Sequence, residues 1–257
     1  MHIYIYDNPL SQKKYDKILA KIETKITDLG LNGRIIRLGP MNSVFNAVEN
    51  EIKKGAKTIV SVGSDNLFSQ VLNSVAMLKA KNIYNNNLPM GIIPIGKENN
   101  DIAHCLGINS EEEACNILSA RRIQQLDIGQ ANYNYFLGQA IISTKNTVMV
   151  IDDEYTLESN DEGEIRVINL PIKNKDVPES DVNAVDNQLQ LLILSHNNKK
   201  IISRKKNKYN LFRFKKLVIL NKNEPVIIDG SFKITTPVEI KIAKEKINLI
   251  VGRNRKF

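Results

Sequence analysis

The chain has 257 residues, of which 42% are hydrophobic and 25% charged, and it carries a net charge of +8. That is enough chain for one large domain or two modest ones with a real buried core, and no apolar run approaches the roughly 18 residues of a membrane-spanning helix. Cys105 and Cys115 are spaced for neither a disulfide framework nor a metal, and His2, His104 and His196 stand far apart, so no metal site is expected.

His2–Tyr6 reads as a short apolar strand, broken by Asp7-Asn8-Pro9. It lacks the basic region and small-residue cleavage site of a secretory leader, which makes the cytoplasm the expected location. Tyr15, Ile18, Leu19, Ile22, Ile26 and Leu29 then recur at helical spacing up to Gly30, a residue suited to positive φ at a helix end. Arg34–Leu38 is a second strand, and Ser43–Lys54 a helix closed by Gly55. Thr58–Gly63 is a third, β-branched strand; Asn66–Ala80 is a helix capped by Asp65 or Asn66. Met90–Ile95 is a fourth strand, followed by a short helix over Asn99–Leu106 that stops at Gly107. Ser110-Glu111-Glu112-Glu113 fits a capping box that opens a helix to about Ala120.

Strands alternating with helices predict a parallel sheet covered on both faces, with ligands bound beyond the C-terminal strand ends. Two loops at such ends stand out. One is Gly63-Ser64-Asp65-Asn66-Leu67; the other runs from Gly96 through Lys97, Glu98, Asn99 and Asn100 to Asp101. Each joins an apolar strand to a helix, which places backbone N–H groups and a helix N-terminus where a phosphate can bind. The plain structural alternative is that Asp65, Asn99, Asn100 and Asp101 only cap helices.

From Asn132 onward no long helical period remains. Short strands separated by turns such as Glu162-Gly163 and Asp229-Gly230 predict an antiparallel sandwich. The expected division is a nucleotide-binding α/β domain over 1–125 and a β-rich substrate domain over 126–257, with a cleft between them. Lys173–Asp186 is polar, contains Pro178 and reads as an exposed loop. Lys199–Lys216 holds nine positive residues and no acidic one, so the rest of the chain is close to neutral. This run fits an anionic lipid surface, nucleic acid, or simply two solvated basic strand faces.

In this order the motifs resemble the soluble diacylglycerol kinase and sphingosine kinase catalytic family, distant relatives of NAD kinases. The family's Gly-Gly-Asp-Gly-Thr loop stands here as Gly63-Ser64-Asp65-Asn66-Leu67. Its Pro-Leu-Gly-Thr-x-Asn-Asp-Phe-Ala segment stands as Pro94-Ile95-Gly96-Lys97-Glu98-Asn99-Asn100-Asp101-Ile102-Ala103, one residue longer. Asn8-Pro9 is similar to the opening motif, Leu126-Asp127-Ile128-Gly129 to the start of the β-rich domain, and Asp229-Gly230-Ser231 to a late Asp-Gly-Glu motif. The resemblance implies ATP and Mg²⁺ as cofactors and a diacylglycerol-like lipid hydroxyl as acceptor. It implies nucleotide contacts from Asn8, Gly63, Ser64, Asp65, Asn66, Gly96, Lys97, Asn99, Asn100 and Asp101. It also gives the lipid reading of Lys199–Lys216 precedence over nucleic acid, with peripheral contact at the inner face of the membrane.

The departures from that pattern matter equally. Ser64 and Asn66 replace two loop glycines, Leu67 replaces a phosphate-binding threonine, and Lys97-Glu98 alters the second loop. Ser231 stands where the family has the glutamate that acts as general base, and Asp229 is the remaining candidate for that role. Loss of a general base costs about 10²–10⁴-fold in rate. The losses together favour weak or absent catalysis. The alternative is a pseudokinase that binds a lipid surface or a protein. The sequence carries no signal of oligomeric state.

Overall fold

The computed structural model describes residues 1–39, 43–84, 87–96, 100–160, 162–172, 182–195 and 210–257. The chain divides into two compact units, residues 1–126 with 245–256 and residues 127–244.

The first unit is built on six strands: β1 (His2–Tyr6), β2 (Gly33–Arg37), β3 (Thr58–Gly63), β4 (Pro89–Pro94), β5 (Ile123–Leu126) and a last strand, β18 (Ile247–Ile250). Their order is β2-β1-β3-β4-β18-β5, parallel except for β5, which runs antiparallel to β18. β3 and β4 are buried along their whole length, as the central strands of a doubly covered sheet must be. Its α-helices among the described residues are α1 (Asp16–Asp28), α2 (Val44–Lys53), α3 (Asp65–Ala80), α4 (Asp101–Cys105) and α5 (Glu111–Ala120). α2 packs on α3 and α1 on α5. Gly91 in β4 makes room for α5, since a Cβ there would stand 2.5 Å from Leu118 Cδ2.

The local signals act largely as the chain order suggests. Gly30, Gly55 and Gly107 all have positive φ beyond helix ends. Ser43 and Ser110 cap their helices, accepting from Asn46 N–H at 3.1 Å and Glu113 N–H at 3.2 Å. The Glu113 side chain does not close the box onto Ser110; it accepts from the Asn109 N–H at 3.0 Å. α3 begins one residue early, with Ser64 rather than Asp65 or Asn66 in the N-cap position.

The second unit holds two antiparallel six-stranded sheets. One comprises β6 (Gly129–Ala131), β7 (Asn134–Phe136), β9 (Thr147–Ile151), β10 (Tyr155–Ser159), β14 (Lys216–Ile219) and β17 (Val238–Ile242). The other comprises β8 (Gln139–Thr144), β11 (Gly163–Ile168), β12 (Leu189–Ser195), β13 (Asn210–Phe214), β15 (Pro225–Ile228) and β16 (Phe232–Thr235). Phe136, Met149, Val167, Leu191, Phe214 and Ile240 belong to a core drawn from both sheets. The stretch expected as an exposed loop ends differently: Val182 and Ala184 are buried, and the Ala184 carbonyl accepts the Asp127 N–H at 2.8 Å. Residues 173–181 of that stretch, and 199–209 of the basic run, lie outside the described residues. Among the described residues, no helix is long and apolar enough to cross a membrane.

Candidate functional site

β1, β3 and β4 are parallel neighbours, so their C-terminal ends meet at one edge of the sheet. Beyond β1 the chain stays bonded to β3, with the Asp7 N–H donating to the Val62 carbonyl at 3.0 Å. The Asp7 side chain then lies over Gly63. A Cβ on Gly63 would stand 2.6 Å from Asp7 Cβ and 3.1 Å from Asp7 Oδ2. Gly63 also has φ of +150°, where L side chains are strained, so both space and backbone require glycine. Ser64 Oγ donates to Asp7 Oδ2 at 3.1 Å, and the Ser64 side chain caps no N–H of α3.

The two loops are tied together. The Ile95 N–H donates to the Gly63 carbonyl at 3.0 Å. Asp65, only 8% exposed, accepts from the Ile102 N–H at 2.7 Å and the Ala103 N–H at 3.4 Å. Its carboxylate therefore faces the first turn of α4 and satisfies N–H groups that lack partners within a helix. Asn100, 5% exposed, donates from Nδ2 to the Gly96 carbonyl at 2.9 Å, across a loop where Gly96 has φ of +93°.

The remaining positions are more dispersed. Asn66 is exposed on the first turn of α3, where its Oδ1 accepts from Gln70 Nε2 at 2.8 Å. Leu67 is 2% exposed, so the side chain standing for the family threonine belongs to the core. Asn8 and Asp101 are exposed, and the Asn8 carbonyl accepts from Ser11 Oγ at 2.9 Å. Lys97 and Asn99 lie outside the described residues. The first unit thus gathers Gly63, Ser64, Asp65, Gly96 and Asn100. It adds Asp7, which sequence reasoning passed over as a strand breaker although it directly precedes Asn8-Pro9.

Asp229 and Ser231 are together in the second unit. Asp229 follows β15 with φ of +48°. Its Oδ1 accepts from the N–H groups of Gly138 at 3.0 Å and Gln139 at 2.7 Å, and its Oδ2 from Leu137 at 3.0 Å. The carboxylate thereby closes the connection from β7 to β8. Gly138 leaves it room, since a Cβ there would lie 2.7 Å from Asp229 Oδ1. Ser231 Oγ donates to the Asp229 carbonyl at 3.2 Å. Asp127 is 2% exposed and accepts from the Asn187 N–H at 2.6 Å, while Asn169 Nδ2 donates to the carbonyls of Asp127 and Leu137. Among the described residues, no group of three or more His, Cys, Asp or Glu side chains is arranged to hold a metal ion.

Residues 2–131 match the family model of the diacylglycerol kinase catalytic domain. The fold is similar to that of a diacylglycerol kinase from Bacillus anthracis, with a TM-score of 0.78 at 18% identity, covering 99% of this chain and 97% of that one. It is also similar to an NAD kinase from Archaeoglobus fulgidus in complex with ATP, with a TM-score of 0.60 at 14% identity, covering 99% of this chain and 94% of that one. No curated protein matches the chain.

Proposed function

We propose that this chain, which belongs to the diacylglycerol kinase catalytic-domain family, binds the triphosphate of ATP at its strand-end loops and phosphorylates a lipid hydroxyl slowly at most. One observation carries the reading: two glycine-bearing loops meet at neighbouring strand ends and are joined by Asp65 and by the Ile95–Gly63 bond. Gly63 and Gly96 supply backbone conformations that other residues resist, and α3 is a long helix whose N-cap side chain is turned away from it. These features fit an anion at a helix N-terminus. Mg²⁺ would neutralise charge on the transferring phosphoryl group, and residues 1–125 would supply the nucleotide contacts, including Lys97 and Asn99 of the second loop. Residues 127–244 would take the lipid, with Lys199–Lys216 toward an anionic membrane surface at about 1 kcal/mol per basic residue.

The test is calorimetric titration of Mg-ATP, with binding expected near millimolar, about −4 kcal/mol. Phosphate transfer to diacylglycerol in mixed micelles is then measured. Absence of nucleotide binding at several times that concentration, about −3 kcal/mol or weaker, overturns the reading.

A pseudokinase is the second reading, favoured by the late motif. Ser231 replaces the family glutamate, and the Asp229 carboxylate is engaged by three backbone N–H groups. This reading expects the combined variant Ser64→Gly, Asn66→Gly, Ser231→Glu to leave turnover unchanged. Lipid phosphorylation by the wild-type protein refutes it.

A further inference from the structure

A phosphate loop uses glycine because the missing Cβ leaves room for an anion against the backbone. At Gly63 that room is already taken. The Asp7 side chain packs over Gly63 with its Oδ2 3.1 Å from where a Cβ would stand. The same oxygen accepts the Ser64 hydroxyl at 3.1 Å. Asp7 is held there at both ends of its backbone, its N–H bonded to Val62 and its carbonyl accepting the Leu10 N–H at 3.0 Å. Ser64 stands where the family has glycine, and a glycine would leave Asp7 without this donor.

We infer that Asp7 is a resident anion of this loop, occupying the space over Gly63 and the Ser64 hydroxyl that a nucleotide phosphate would use, and so lowering the loop's affinity for nucleotide. The inference rests on the proposed nucleotide site and adds the residue that sets its strength. A bound triphosphate must displace the carboxylate or accept its repulsion at short range, where solvent screening is weak. The rival role for such a carboxylate is to hold the metal that accompanies the triphosphate, and the two roles respond oppositely to neutralisation.

The experiment is calorimetric titration of ATP, with and without Mg²⁺, into wild-type protein, Asp7→Asn and Asp7→Ala. Asp7→Asn keeps an acceptor for Ser64 and protects the fold; thermal melts verify it. The expected result is binding tighter by about tenfold or more in both variants, with and without the metal. Unchanged affinity, or weakening seen only with Mg²⁺, overturns the inference and leaves the nucleotide site standing. Absence of binding in all three proteins overturns both.

Discussion

The Asp65 carboxylate accepts a hydrogen bond from the Ile102 N–H at 2.7 Å, joining the first turn of α3 to the first turn of α4. A buried carboxylate in this position serves both helices. It lies at the positive end of each, and it satisfies donors that α4 cannot satisfy internally.

Asp65→Ala therefore removes a charge-assisted bond and leaves the α4 N–H groups without their acceptor. A loss of about 2 kcal/mol in unfolding free energy is expected, read from the urea midpoint. Asp65→Asn should retain part of it. Stability unchanged in Asp65→Ala would mean that the two loops are held together by other contacts.

Gly63→Ala meets two separate obstacles, the φ of +150° and the Asp7 Cβ at 2.6 Å. The backbone part alone costs about 1–3 kcal/mol. Repeating the substitution in an Asp7→Gly background removes the collision and keeps the backbone strain. The cost of Gly63→Ala should then fall, and the difference measures the packing of Asp7 on Gly63. Equal costs in both backgrounds would show that Asp7 does not press on Gly63.

Much of the first unit was legible because its signals are local. Val60, Ile92 and Ile93 form buried runs, Gly30 and Gly107 end helices, and Ser110 caps one. What escaped is what depends on partners far away in the chain. β18 pairs with β4 and β5 in the first sheet, although Ile247–Ile250 looks no different from the strands before it. The partner of Asp65 is 37 residues away, and no spacing rule connects them. Leu67 reads as a damaged phosphate contact, yet an apolar residue on the third position of α3 is an ordinary core choice, and it is buried. Asp7 was hidden by its chemistry: a polar residue after a strand is the commonest way to end one.

Asp229 gives a prediction on the second unit. Its three N–H donors come from consecutive residues, Leu137, Gly138 and Gln139, so the side chain works as a clasp on the β7–β8 connection. Asp229→Ala should lower stability by about 2–3 kcal/mol. Asp229→Asn, with one acceptor oxygen left, should fall between. If Asp229→Ala is as stable as wild type, while any lipid kinase activity disappears, the carboxylate is a catalytic base instead.

Cys115 offers a test of the first unit's interior that is independent of nucleotide. It is fully buried at the floor of an open surface pocket of about 320 Å³ lined by α1 and α5, and burial pushes its thiol up to about 11. In the unfolded chain a thiol ionises near about 8.5. Between those values the unfolded chain gives up the proton while the folded chain keeps it, so stability falls as pH rises through that window. Urea unfolding at about pH 8 and pH 9, where tyrosines stay largely protonated even in the unfolded chain, should show this loss in wild type and a smaller one in Cys115→Ala. Native protein should also resist thiol reagents until denaturant is added, because Cys105 is only 2% exposed as well. Rapid labelling of Cys115 in the folded protein would mean that α1 and α5 separate readily and uncover the thiol.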